Sequence, residues 1–174
     1  MKMWCFLILF FSANSYGQRM DAGMILLKNS KLPKTAVLNS TVDLNPEDPM
    51  RSILQKHKGA IVYVDIWATW CGPCLAEMSN SKKLRNKLQG KDVVFVYLCI
   101  NSPSENRWKK LICSKQMAGE NYFFDQQYSA ALSERYKVKT IPRYILFDQN
   151  GDAVSEDAKR PGEDAVLRTI NGML

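Results

Sequence analysis

The chain has 174 residues, 46% of them hydrophobic, which allows one ordinary domain with a sizeable core and excludes a disordered or fibrous class. Its formal net charge of +7 arises from 24 Lys and Arg against 17 Asp and Glu. The cations are scattered, without the clustered basic and aromatic stripe of a nucleic-acid site, so they read as a solvated surface with a mild preference for acidic protein partners.

The first predicted element is not part of the fold. Met1-Lys2 gives a short basic start, Met3 to Phe11 is an apolar run too short to span a bilayer, and the small residues Ser15 and Gly17 follow. This reads as a secretory signal peptide over residues 1–17, cleaved after Gly17, with cleavage after Ser15 as the competitor. Cys5 would be discarded with it, and the loss of Lys2 leaves the mature chain slightly less basic. Residues 18–35 are expected to be a leader or an added strand ahead of a domain over 36–174. His57, among lysines and with no partner motif, reads as an exposed helix-end residue.

Ala60 to Ile66 is a nearly continuous apolar, β-branched run and predicts a buried strand. Asp65 interrupts it, and a carboxylate there is costly to bury unless it is hydrogen-bonded or has a chemical task. Trp67 reads as core at the strand end, whereas Trp70 reads as a shield for the neighbouring sulfur and part of a flat docking surface. From Leu75 to Leu88 the residues Leu75, Met78, Leu84 and Leu88 keep helical spacing, with Gly90 as a stop. Val93 to Ile100 predicts a second buried strand, and Arg107 to Gln116 a helix with Trp108, Leu111 and Ile112 on one face. A short strand is expected at Tyr122 to Phe124, and a helix at Ser129 to Tyr136 begins near a serine cap. Tyr144 to Phe147 reads as a strand, and Phe147 to Val154 as a hairpin with Asn150-Gly151 at its turn. Glu163 to Ile170 closes the chain as a helix after the Pro161-Gly162 break. Strands alternating with helices give an α/β layered domain.

Between the first strand and its helix stands Trp70-Cys71-Gly72-Pro73-Cys74, two cysteines spaced to open and close reversibly as a disulfide. At a helix start the unpaired N–H groups and the positive end of the helix dipole favour a thiolate. Cys71 is therefore the candidate nucleophile and Cys74, one turn further in, the resolving thiol. Pro73 lacks an N–H where none is needed, and Gly72 adds no side chain to screen the sulfur. A zinc half-site and a purely structural disulfide are the competing readings. Zinc requires four ligands, and Cys99, Cys113 and His57 stand at no recognisable spacing. Cys99 and Cys113 themselves read as two buried free thiols in preference to a second disulfide.

Across Val64-Asp65-Ile66-Trp67-Ala68-Thr69-Trp70-Cys71-Gly72-Pro73-Cys74, and again at Thr140-Ile141-Pro142, the chain resembles the thioredoxin superfamily, more narrowly its exported bacterial thioredoxin-like oxidoreductases. The resemblance covers roughly residues 36–174. It implies the thioredoxin fold, a central mixed β-sheet flanked by helices. An X-Pro bond is trans by default; the resemblance implies a cis Ile141-Pro142 bond lying against the dithiol, where an incoming peptide adds as a strand. It likewise implies that Asp65 takes the proton from Cys74, that Glu77 modulates the site, and that Trp70, Gly72, Pro73, Ile141 and Pro142 meet the substrate. Ser79 departs from a proline usual in the family.

The expected activity is thiol-disulfide exchange, favouring reduction of disulfides in exported proteins, in the periplasm or outside the cell, with electrons from a membrane thiol donor. The Gly72-Pro73 pair, Asp65 and Ile141-Pro142 resemble thioredoxin, with a potential of about −270 mV, more than strong oxidants near about −120 mV. A disulfide-forming oxidant and a non-catalytic binding module on the same fold are the alternatives. No metal, cofactor or nucleic acid is implied, and the sequence is silent on oligomeric state.

Overall fold

A computed structural model describes residues 32–174, so the expected signal peptide and most of the expected leader lie outside the described residues. Strand β1 (Ala36–Asn39) is followed by helix α1 (Pro49–Lys56), β2 (Ile61–Trp67), α2 (Gly72–Lys87) and β3 (Val93–Cys99). Then come α3 (Glu105–Lys115), β4 (Gly119–Phe123), α4 (Gln126–Arg135), β5 (Arg143–Phe147), β6 (Ala153–Ser155) and α5 (Asp164–Met173). They form one six-stranded sheet in the order β1-β4-β3-β2-β5-β6. β1, β4, β3 and β2 run parallel, while β5 runs antiparallel to β2 and β6 antiparallel to β5. The expected α/β class with a central mixed sheet flanked by helices is what the chain forms.

All seven residues of β2 are buried, because helices cover both faces of the sheet. Alternation along the strand divides them. Tyr63 and Trp67 pack with Met78 and Leu84 of α2, Trp108 and Ile112 of α3, and Val166 and Ile170 of α5. Val62, Val64 and Ile66 pack with Met50 and Ile53 of α1 and Leu132 of α4. Asp65 shares the first of these faces, which is the face carrying Cys71 and Cys74.

Local chemistry sets the element ends, and two of them correct the sequence reading. Helix α4 starts before Ser129: Asp125 is its cap, its side chain accepting from the Tyr128 N–H, while Ser129 is buried inside the helix and its N–H bonds back to the Asp125 carbonyl. His57 is a helix-end residue as expected but is half-buried, with Nε2 shut away from solvent and burial lowering its pKa. Helix α1 and strand β1 were not expected as such. The turn at Asn150-Gly151 is as read, with Asp148 Oδ1 accepting from the N–H groups of Asn150 and Asp152. Among the described residues, no helix is long and apolar enough to cross a membrane.

Candidate active site

The carboxyl end of β2 delivers its chain straight into α2, and that junction builds the site. Trp67 ends the strand, Cys71 N–H donates to the Ala68 carbonyl at 3.0 Å in a tight turn, and Cys71 caps α2. Pro73 stands in the first turn, where its missing N–H costs nothing. The cap is a sulfur: Cys71 Sγ accepts from the Cys74 N–H at 3.2 Å. The two cysteines are joined as a disulfide, with Cys71 4% exposed and Cys74 fully buried. Attack from outside on this disulfide reaches Cys71 first. Gly72 and Pro73 are exposed beside it.

Trp70, next to Cys71 in the chain, is 58% exposed. Two hydrogen bonds hold this stretch against the loop after β3. Trp70 Nε1 donates to the Asn101 carbonyl at 2.8 Å, and the Thr69 N–H donates to Ser102 Oγ at 2.9 Å. Asn101 adopts a positive φ of 47°, a conformation that asparagine tolerates better than most residues. Cys99 Sγ donates to the same Ser102 Oγ at 3.2 Å, and burial pushes the thiol up to about 12, leaving it protonated at neutral pH. Cys99 and Cys113 are both buried and free, as expected.

The antiparallel register sets Arg143 opposite Ile66, so Ile141 and Pro142, just before β5, lie at the end of β2 from which the chain runs on to Cys71. The Ile141–Pro142 bond is cis, and Ile141 packs against the cluster that contains both cysteines.

Asp65, on the face of β2 that also carries Tyr63 and Trp67, is 1% exposed, and neither carboxylate oxygen has a hydrogen-bond partner among the described residues. Burial first, and the negative charge of Glu77 second, hold its pKa well above the usual carboxylate range. Glu77 sits on α2, half-buried, and its Oε2 accepts from Asn80 Nδ2 at 3.2 Å. Sequence reasoning missed the tyrosines around Asp65: Tyr97 and Tyr144 are its register partners on β3 and β5, and Tyr63 shares its face of β2. Only strand register, which no single segment encodes, brings them together.

The arrangement can exchange thiols and disulfides: a sulfur at a helix N-terminus and a second sulfur buried behind it, on the sheet face that also carries the sealed Asp65 carboxyl. Comparison with known proteins agrees. The sequence model of the family described as Redoxin matches residues 27–168. The chain is 26% identical over 108 residues to thioredoxin-1 of Caenorhabditis elegans, covering 62% of this chain and 69% of that one. It is 28% identical over 101 residues to the thioredoxin-like protein YneN of Bacillus subtilis, spanning 58% of each. A crystal structure of a candidate thiol-disulfide oxidoreductase from Bacteroides vulgatus matches with a TM-score of 0.61 and 32% identity, over 70% of this chain and 83% of that one.

Proposed function

The chain belongs to the Redoxin family, and from that premise we propose that it is a thiol-disulfide oxidoreductase reducing the disulfides of exported proteins through Cys71 and Cys74. The observation that carries this reading is the disulfide at the start of α2, with Cys71 at the helix cap and Cys74 fully buried behind it.

In the reduced protein Cys71 attacks a substrate disulfide as thiolate, favoured by the helix N-terminus and by the Cys74 N–H that already points at its sulfur. A mixed disulfide forms and one substrate sulfur leaves. Cys74 then attacks Cys71, giving up its proton to Asp65, and the second substrate sulfur is released. Trp70, Gly72 and Pro73 present the exposed surface that meets the substrate, with Ile141 and Pro142 bordering it through main-chain contacts tolerant of substrate sequence. Glu77 modulates the site through its charge on Asp65. Export rests on the basic, apolar and small-residue pattern of residues 1–17. A reductase there requires electrons from across the membrane, hence a membrane thiol donor.

The test is turnover of an insulin-type disulfide substrate with a thiol reductant. The wild-type protein is expected to reduce it, Cys71→Ala to lose activity by at least about a hundredfold, and Cys74→Ala to accumulate the mixed disulfide. A protein that binds the substrate with no exchange would be a docking module on this fold instead.

A further inference from the structure

The turn that carries Trp70 and Cys71 is tied by side chains to the loop that follows β3. The sheet anchors that loop first: the Ile100 N–H donates to the Trp67 carbonyl at 2.9 Å, and the Phe124 N–H to the Cys99 carbonyl at 2.9 Å. Beyond them Asn101 takes the left-handed conformation, with φ at 47°, which a non-glycine residue keeps where its surroundings fix it. Here they do so from two sides. The Asn101 N–H donates at 3.3 Å to Oγ of Ser129, buried inside α4, and its carbonyl accepts from the Trp70 indole at 2.8 Å.

Ser102 holds the other half of this junction. A hydroxyl offers one proton and two lone pairs, and all three are in use. Oγ donates to the Ile100 carbonyl at 3.2 Å, and accepts from the Thr69 N–H at 2.9 Å and from the Cys99 thiol at 3.2 Å. One side chain thus closes the loop on itself, fastens it to the end of β3 and pins the buried residue before Trp70.

The consequence falls on Trp70. An exposed side chain ordinarily turns freely and loses that freedom when a partner covers it, which weakens binding. Trp70 is exposed yet already held, at its ring nitrogen by Asn101 and through its chain neighbour by Ser102. We propose that Ser102 is a positioning residue for substrate: it keeps the Trp70 ring set in advance as a platform for the polypeptide flanking a disulfide, so that the site favours disulfides carried by proteins over small free ones. This rests on the exchange reaction given above and refines its substrate class. A disulfide with only short hydroxyethyl arms has no flanking chain to lay on the ring. The chemistry at sulfur is left alone, because among the described residues no hydrogen bond joins Ser102 to Cys71 or Cys74.

Steady-state turnover of insulin and of hydroxyethyl disulfide, corrected for the uncatalysed reaction with the thiol reductant, tests this. Ser102→Ala is expected to raise KM for insulin about fivefold with kcat unchanged, and to leave the rate with hydroxyethyl disulfide as in the wild-type protein. Ser102→Thr keeps the hydroxyl and should restore the wild-type KM. By NMR the Trp70 indole N–H should exchange with water faster in Ser102→Ala, and in a Trp70→Ala background the same substitution should cost nothing further. Equal losses on both substrates would make Ser102 a prop of the dithiol itself and overturn the proposal. An unchanged KM for insulin, an unchanged indole exchange rate or additive losses in the double variant would do the same. Where Ser102→Ala does not fold, Ser129→Ala, which takes the partner from the Asn101 N–H, carries the same expectations. If the wild-type protein turns over neither substrate, the reductase reading fails and the selectivity with it, an outcome distinct from an active wild type beside an unaffected Ser102→Ala.

Discussion

At the scale of the residue, Asp65 shows what a buried acid does to a protein that keeps it. Its folded pKa lies above its unfolded value, so between the two the unfolded chain releases a proton that the folded chain holds. Stability therefore falls as pH rises from the ordinary carboxylate range through the folded pKa, and the penalty is complete above it. Asp65→Asn should remove this pH dependence, gaining about 1–3 kcal/mol at neutral pH and nothing near pH 4. Paired denaturant titrations at the two pH values measure it, and an equal effect at both would show that ionisation is not the cause. The acid itself was legible, as the one carboxylate inside Ile61–Trp67. Its isolation was not: a sequence cannot say whether a buried oxygen finds a donor, and here neither does. The same limit applies to Ser102, an unremarked loop serine that holds both the Thr69 N–H and the Cys99 thiol.

At the scale of the element, strands and helices with strong periodicity were readable, and those fixed by distant partners were not. The run into Trp67 and the helix after Cys71 carry their own signals. β1 does not: four residues, three half-buried and Val37 exposed, become a strand because β4 lies beside them. Helix α1 carries a local signal in Asp48-Pro49, a capping acid followed by a first-turn proline, but one that is weak in so short and polar a segment. The start of β4 depends on a glycine. Gly119 has φ +126°, and a Cβ there would lie 2.5 Å from the Phe95 carbonyl oxygen of neighbouring β3. Backbone cannot step aside as a side-chain tip can. Gly119→Ala is expected to cost about 2 kcal/mol or more, read as a lowered midpoint in urea with the slope unchanged. A loss below about 0.5 kcal/mol would mean that the strand has slack at this point.

For the whole molecule, redox state and stability are one quantity measured in two ways. A protein that readily gives up electrons is one whose fold prefers the disulfide to the dithiol, and a strong oxidant is the reverse. If reduction of substrates is the physiological direction, breaking Cys71–Cys74 should lower Tm by roughly 5 °C, since closing so short a loop contributes roughly 2 kcal/mol. Melting with and without a thiol reductant decides it, and a Tm that rises on reduction would assign the protein to disulfide formation. The fully buried strand β2 has another consequence, one of timing. Both its neighbours come later in the chain, β3 at Val93–Cys99 and β5 at Arg143–Phe147. During synthesis this fully buried segment emerges with the two cysteines just behind it, and Tyr144 and Pro142 follow some seventy residues later. Until then Cys71 and Cys74 stand on an unfinished sheet, open to any passing thiol, aggregate or holdase. The last third of the chain therefore completes the surroundings of cysteines that were made long before it.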